Sequence, residues 1–266
     1  MLKINKNIMK EFSLGLQKFK PIVRTAIRKD FGESDTVTII TDILSSVFGY
    51  EKYEDITSEY AIRNTYCDLA VKVSGKIKFL IECKAVGIDL KEPHIRQAMD
   101  YGVTAGIEWI ILTNSIDWQL YKIHFRTKPV HLELVFSFDF LSLKPSAEDD
   151  MDMLYAISKR GFQMIGTSAL SELYENKAFI NKYVLGQLLL NDSVVQYLRR
   201  FLRKISPDVK VDNEKISKIL ANDVIKREIF EEENFTRVNR MIGRKLKNAN
   251  KKSQSNKIKE EVFNEE

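Results

Sequence analysis

Cys67-Asp68-Leu69-Ala70-Val71-Lys72-Val73-Ser74-Gly75-Lys76-Ile77-Lys78-Phe79-Leu80-Ile81-Glu82-Cys83-Lys84 carries acidic and basic side chains into an otherwise apolar pair of segments. It reads as two β-runs joined by a tight turn, with charges breaking the apolar alternation. Successive residues of a strand point to opposite faces. Lys78, Leu80, Glu82 and Lys84 therefore share one face of the second run, with Phe79, Ile81, Cys83 and Ala85 on the other. On the first run Asp68, Ala70 and Lys72 share a face, backed by Cys67, Leu69, Val71 and Val73.

Whether the charges meet depends on register, because a one-residue slip moves a whole set of side chains to the other face. A loop centred on Gly75, with Val73 opposite Ile77, sets Asp68 beside Glu82. A strict two-residue Ser74-Gly75 loop puts the two acids on opposite faces. An unpaired buried carboxylate is costly, so the first register is expected, and with it two carboxylates a few ångströms apart. Such a pair repels unless a cation lies between. Oxygen ligands with water suit Mg²⁺ or Mn²⁺, and Lys84 projects beside the same spot. The same register places Cys67 opposite Cys83 behind the acids, as small buried thiols. Two cysteines form neither a disulfide framework nor a zinc site.

Asp68 followed by Glu82-Cys83-Lys84 resembles the D…(D/E)xK core of the PD-(D/E)xK nuclease superfamily. The wider stretch, roughly residues 30 to 125, is similar to its branch at the N-terminus of type I restriction enzyme motor subunits. Gln97 and Tyr101 fit that branch's QxxxY motif. Trp109-Ile110-Ile111-Leu112-Thr113-Asn114 followed by Asp117-Trp118-Gln119-Leu120-Tyr121 fits its LTNG…W…Y strand pair, with Ser115 where glycine is usual. Cys67 stands before Asp68 where the superfamily name suggests proline.

The resemblance implies a restriction-endonuclease-like α/β/α core with a mixed central sheet. It implies a metal-dependent endonuclease that hydrolyses DNA, double-stranded by preference, in restriction or defence. Asp68, Glu82 and the main-chain carbonyl of Cys83 would hold one or two Mg²⁺ (or Mn²⁺), with Glu33 assisting. Lys84 would orient or deprotonate the attacking water, a role in which a lysine near a metal and partly desolvated can have its pKa lowered. Gln97 would contact the metal-bound water or the scissile phosphate, and Tyr101 would support its helix. Bland alternatives stand beside these roles: Glu33 as a first-turn acid favoured by the helix dipole, Gln97 as surface, Tyr101 as packing mass.

Around this stretch, residues 6 to 29 have helical apolar spacing with a basic outer side, and Pro21 should end or kink them. A helix over Ser34 to Phe48 follows, closed by Gly49, then a strand over Glu59 to Arg63. Pro93 can open a helix. Residues 109 to 114, 118 to 123 and 132 to 136 read as strands. Helix, strands, helix, strands is an α/β order. A polar linker at 142 to 150 divides a nuclease domain, 1–145, from a helical region, 146–248. The tail, 249–266, has almost nothing to bury and reads as disordered or as a lone frayed helix.

The net charge of +5 is unevenly spread. Residues 1 to 180 hold 23 Lys and Arg against 24 Asp and Glu, whereas residues 181 to 266 hold 19 against 13. In the second part, Val194, Val195, Leu198, Phe201, Leu202 and Ile205 form an apolar stripe flanked by Arg199, Arg200, Arg203 and Lys204; Arg237, Arg240, Arg244, Lys245 and Lys247 repeat the theme. These cations suit either phosphate contact or the wet edge of a homodimer interface through the C-terminal helices. No apolar run reaches the roughly 18 to 20 residues that span a bilayer, so a cytoplasmic protein is expected. There is no phosphate-binding P-loop and no zinc-ligand spacing. The competing reading is a catalytically silent nuclease-fold protein that binds nucleic acid or serves assembly.

Overall fold

Ser74 and Gly75 both take left-handed backbone angles, φ 52° and 74°, the conformation that a two-residue hairpin turn requires. In the computed structural model, which describes residues 2–62, 65–125, 129–164, 168–208, 210–231, 238–239 and 242–243, this turn joins β2 (Thr65–Val73) to β3 (Lys76–Cys83). The turn is therefore the strict two-residue loop, not the one centred on Gly75. A β-bulge makes up the difference. Val73 pairs with Lys76 and Lys72 with Ile77, but Val71 then pairs with Phe79, Ala70 with Leu80 and Leu69 with Ile81. Lys78 is the extra residue, and beyond it the ladder runs in the register that carries Asp68 to Glu82.

The first compact unit, Met1–Glu175, is built around this hairpin. Its elements are α1 (Lys6–Lys29), α2 (Glu33–Ser46), β1 (Ile56–Ile62), β2, β3, α3 (Glu92–Ala105), β4 (Trp109–Thr113), β5 (Asp117–His124), β6 (His131–Asp139), α4 (Glu148–Ala156), α5 (Lys159–Phe162) and α6 (Ala169–Phe179), the last running on past Glu175. The six strands form one sheet in chain order. All neighbours are antiparallel except β3 and β4, which run parallel. A parallel pair needs a crossover, and α3 supplies it.

Each face of the sheet has its own core. Phe12, Leu16, Phe19 and Val23 of α1 and Ile40, Ile43 and Leu44 of α2 pack with Leu69, Val71, Phe79 and Ile81. Met151 and Leu154 of α4 and Leu170 and Leu173 of α6 join the same cluster. On the other face, Tyr101 packs with Ala70 and Leu80, and Ile95 and Ala98 with Ile110, Leu112 and Ile123. This is the mixed α/β architecture the sequence suggests. Helix α3 lies so close to the sheet that a Cβ on Gly102 would collide with Ile123 and Ile110.

Three details depart from the sequence reading. Pro21 does not end α1; it sits exposed inside a helix of 24 residues, where its missing hydrogen bond falls on the wet side. Cys67 and Cys83 are free and buried as expected, but Cys67 joins the cluster beside α3 and Cys83 the larger one. The helices after the polar linker pack into the first unit as far as Glu175, whereas the texture of the sequence put the division at 145/146. Asp55, a buried acid between α2 and β1, is a structural clamp. It is 8% exposed, accepts the N–H of Glu51 at 2.8 Å and meets Lys159 Nζ at 2.6 Å.

The second unit, Asn176–Glu266, contains α7 (Lys182–Leu189), α8 (Asp192–Ile205), α9 (Asn213–Ile219), a π-helical turn at Leu220–Val224 and α10 (Glu228–Glu231). Among its described residues, Val184, Val195, Ile216, Ile225 and Ile229 are the buried apolar ones. Arg237, Arg240, Arg244, Lys245, Lys247 and the tail, 249–266, lie outside the described residues. Among the described residues no helix is long and apolar enough to cross a membrane.

The turn between β4 and β5 carries a residue at odds with its place. Ser115 is fully buried with φ 74°, and its hydroxyl has no hydrogen-bond partner. Ser115→Gly should stabilise the protein by about 1 kcal/mol, because it removes both a left-handed side chain and an orphaned hydroxyl. Lys159→Ala, which leaves Asp55 buried without its cation, should cost about 2 kcal/mol. Urea unfolding monitored by far-UV circular dichroism checks both; opposite signs for the two variants are the expected outcome.

Candidate active site

The end of β3 is where polar chemistry enters the core. Glu82 lies in the interior of the sheet, between β2 and β4, and is 1% exposed. A carboxylate there needs partners, and the next residue on its face provides one. Lys84 Nζ donates to Glu82 Oε1 at 2.6 Å. The other oxygen, Oε2, is buried and accepts no hydrogen bond.

Asp68 faces this pair from β2. Its Oδ2 accepts the main-chain N–H of Cys83 at 2.6 Å, which ties the acid to the segment between Glu82 and Lys84. Glu33 arrives from α2, where it is the first helical residue after the Gly32 cap. Its Oε2 stands 3.9 Å from Lys84 Nζ, with the Glu33 side chain 54% exposed. The structure thus brings Asp68, Glu82, Lys84 and Glu33 together. Lys84 N–H also donates to Thr113 O at 2.9 Å, fixing the end of β3 to β4. Asn114 Nδ2 reaches Ile88 O at 2.9 Å, fastening the loop beyond Lys84 to the β4–β5 turn.

The electrostatics follow from this burial. Desolvation pushes the Glu82 carboxyl up to about 7 against the pull of the Lys84 hydrogen bond, and the Asp68 charge adds to the rise. Burial raises Asp68 too, countered by the Cys83 N–H and Lys84 and reinforced by Glu33 and Glu59. Lys84 corrects the sequence reading. Burial alone would lower it, but the Glu82 hydrogen bond and the charges of Glu82, Glu33 and Asp68 together hold it above its ordinary value. These carboxylates favour its protonated form. Burial also pushes the Cys67 thiol up to about 12 and Cys83 well above its usual range, so neither is a reactive thiolate.

Gln97 and Tyr101 form a unit on α3. Gln97 is exposed and its Nε2 donates to Tyr101 Oη at 2.9 Å. The ring of Tyr101 is anchored beside Ala70 and Leu80, each two residues from a site acid on its own strand. One residue of the site escaped the sequence reading. Glu59 falls opposite Asp68 in the β1–β2 ladder, between the pairs Ser58–Leu69 and Tyr60–Cys67, with φ 49°. Its charge pushes Asp68 upward. An acid in the strand before the hairpin was the only signal for it.

The α8 cations stand in the second unit. Arg200, Arg203 and Lys204 are exposed and Arg199 half-buried, with its Nε buried and unpartnered. Val195 is the one buried member of the apolar stripe; Phe201, Leu202 and Ile205 are exposed.

Among the described residues, no group of three or more His, Cys, Asp or Glu is arranged to hold a metal ion by itself. The donors present still suit a hard cation. Mg²⁺ is commonly held by one or two carboxylates, with water and substrate phosphate completing its shell. Asp68 and Glu82 are such a pair, and Glu82 Oε2 is a buried acceptor with no donor of its own.

Residues 38–134 match the family model described as the type I restriction enzyme R protein N terminus. The matched segment runs from α2 into β6 and contains Asp68, Glu82, Lys84, Gln97 and Tyr101. Neither the curated proteins nor the solved structures yield a match.

Glu82 also makes a pH signature. Its folded value, about 7, lies above its ordinary 4.5, so the folded state holds this proton more tightly than the unfolded chain. The stability it contributes is full below 4.5 and is lost as pH rises through 7. Raised Asp68 acts in the same sense, whereas raised Lys84 acts only at alkaline pH. In EDTA, thermal melting should therefore fall between pH 5 and pH 7.5, and the fall should be distinctly shallower in Glu82→Gln. Parallel profiles for the two proteins would contradict the buried-carboxyl assignment.

Proposed function

We propose that the protein is a metal-dependent nuclease that hydrolyses DNA phosphodiester bonds in restriction or defence against foreign DNA. The observation that carries this reading is the convergence of Asp68, Glu82 and Lys84 at one end of β3, with Lys84 bonded to Glu82 at 2.6 Å and Asp68 bonded to the intervening main chain at 2.6 Å. The match of this segment to the N terminus of type I restriction enzyme R proteins supports it.

Asp68, Glu82 and the carbonyl of Cys83 would hold Mg²⁺ or Mn²⁺, with Glu33 at the outer edge. When bound, the cation supplies Lewis-acid stabilisation of charge on the phosphate and a lower pKa for a water ligand. The residues of the chain do the rest. Asp68 and Glu82 set the place where positive charge is tolerated, because both are desolvated and want a counter-ion. Lys84, charged and held against Glu82, would donate to a phosphate oxygen or orient the water; a charged donor in a partly buried site favours negative charge building on oxygen. Gln97, steadied by Tyr101, would add a neutral donor or acceptor at the phosphate. In the second unit, Arg199, Arg200, Arg203 and Lys204 would add sequence-independent grip on DNA. The exposed Phe201, Leu202 and Ile205 beside them favour a second reading of that helix, as a surface for assembly, homodimerisation included.

Incubating the full chain with supercoiled plasmid and with a single-stranded RNA of matched length, in Mg²⁺ or in EDTA, tests the proposal. Nicking or linearisation of the plasmid is expected in Mg²⁺ alone. Lys84→Ala and Asp68→Asn should each lower the rate by at least about 100-fold, the scale of a lost charge-stabilising group. Salt-sensitive DNA retention without cutting would replace this reading with a catalytically silent binding protein. Preferential cutting of the RNA would move the substrate class.

A further inference from the structure

The site is acidic for one that is to receive a polyanion. Asp68, Glu82 and Glu33 surround the single ammonium of Lys84, and Glu59 stands opposite Asp68. A phosphate backbone approaching them is repelled unless cations line the way in.

The end of α1 offers such a lining. Helix α1 stops at Lys29, Asp30 closes it in a left-handed conformation, and Glu33 then opens α2 and reaches Lys84. The loop leaving Lys84 closes on the same joint. Val86 N–H donates to Thr36 Oγ1 at 3.2 Å, and a Cβ built on Gly87 would lie 3.1 Å from Asp30 Oδ1. The last turns of α1 therefore form a rim of the site. Arg24 and Arg28 lie on one helical face of these turns, four residues and about 6 Å of rise apart. Both are exposed. Arg28 Nη2 donates to Thr25 Oγ1 at 2.9 Å, and among the described residues neither arginine has an acid within salt-bridge distance. Lys52, Arg96 and Lys159 of this unit are paired with Asp42, Glu92 and Asp55.

We propose that Arg24 and Arg28 are a phosphate-binding edge that holds the backbone of the nucleic-acid strand entering the site. The inference rests on the reading of that site as a nuclease. Two guanidiniums one turn apart each take one phosphate of the same strand, offsetting the repulsion of the acids behind them. Because the contacts are to the backbone, they hold any sequence alike. Lys29 sits next to Arg28 in the final turn and serves the helix dipole equally well, but it points about 100° away around the helix.

The test is the salt dependence of binding. The full chain is titrated with a fluorescent DNA duplex in EDTA across a series of KCl concentrations. In Arg24→Ala/Arg28→Ala the slope of log K against log salt should become shallower by about 1.8, two phosphate contacts at roughly 0.9 each. Arg24→Lys/Arg28→Lys should restore it, and Lys29→Ala and Lys52→Ala should leave it unchanged. The melting temperature of each variant separates lost binding from lost folding. An unchanged slope in the double alanine variant overturns the proposal, as does an equal loss in Lys29→Ala. So does disappearance of the whole slope when Arg199, Arg200, Arg203 and Lys204 are replaced by alanine. If the parent chain shows no salt-dependent binding to DNA or to a matching RNA, the nuclease reading falls and this inference with it.

Discussion

A single extra residue in β3 decides what this molecule can do. The turn at Ser74 and Gly75 would by itself send Asp68 and Glu82 to opposite faces of the sheet, and the bulge at Lys78 returns them to one. Bulges re-aim side chains at a local cost in ladder hydrogen bonds. Here the return is a buried carboxylate with a lysine against it and a second acid across the ladder. Everything that reads as chemistry lies downstream of that correction.

The surroundings hold this arrangement from several directions. Strand β4 takes the main chain of Lys84, the β4–β5 turn takes the loop beyond it through Asn114, and α2 brings Glu33 to the same point. Tyr101 roots α3 beside Ala70 and Leu80. Secondary structure supplies rigidity and its ends supply the side chains, the division of labour expected when a site is carried on a packed scaffold. The same scaffold explains why Lys84 is cationic: three carboxylates surround it, and their pull exceeds the cost of its partial burial.

Much of this was legible in the chain because charges at the ends of apolar runs are conspicuous. Asp68, Glu82 and Lys84 break a hydrophobic alternation, and the order of helices and strands follows from apolar spacing. What stayed hidden depended on geometry without a one-letter signature. The bulge at Lys78 has none, so the right pairing was expected from the wrong turn. The strand reading could not place Cys67 and Cys83 in separate clusters, because it assumed strict alternation through Asp68. The polar run at 142 to 150 looks like a boundary, yet Met151, Leu154 and Leu173 beyond it bury themselves against the sheet. Composition records that a loop is wet, not where the chain goes next.

The left-handed angle at Glu59 has a last consequence. Strand β1 is an outer strand of the sheet, and outer strands invite a neighbouring chain to add itself by main-chain hydrogen bonding. A residue with φ 49° interrupts the regular row of donors and acceptors midway along that border. An incoming strand can follow it for only a few residues before losing step, so the border is blunted against runaway stacking by the same residue that leans its charge on Asp68.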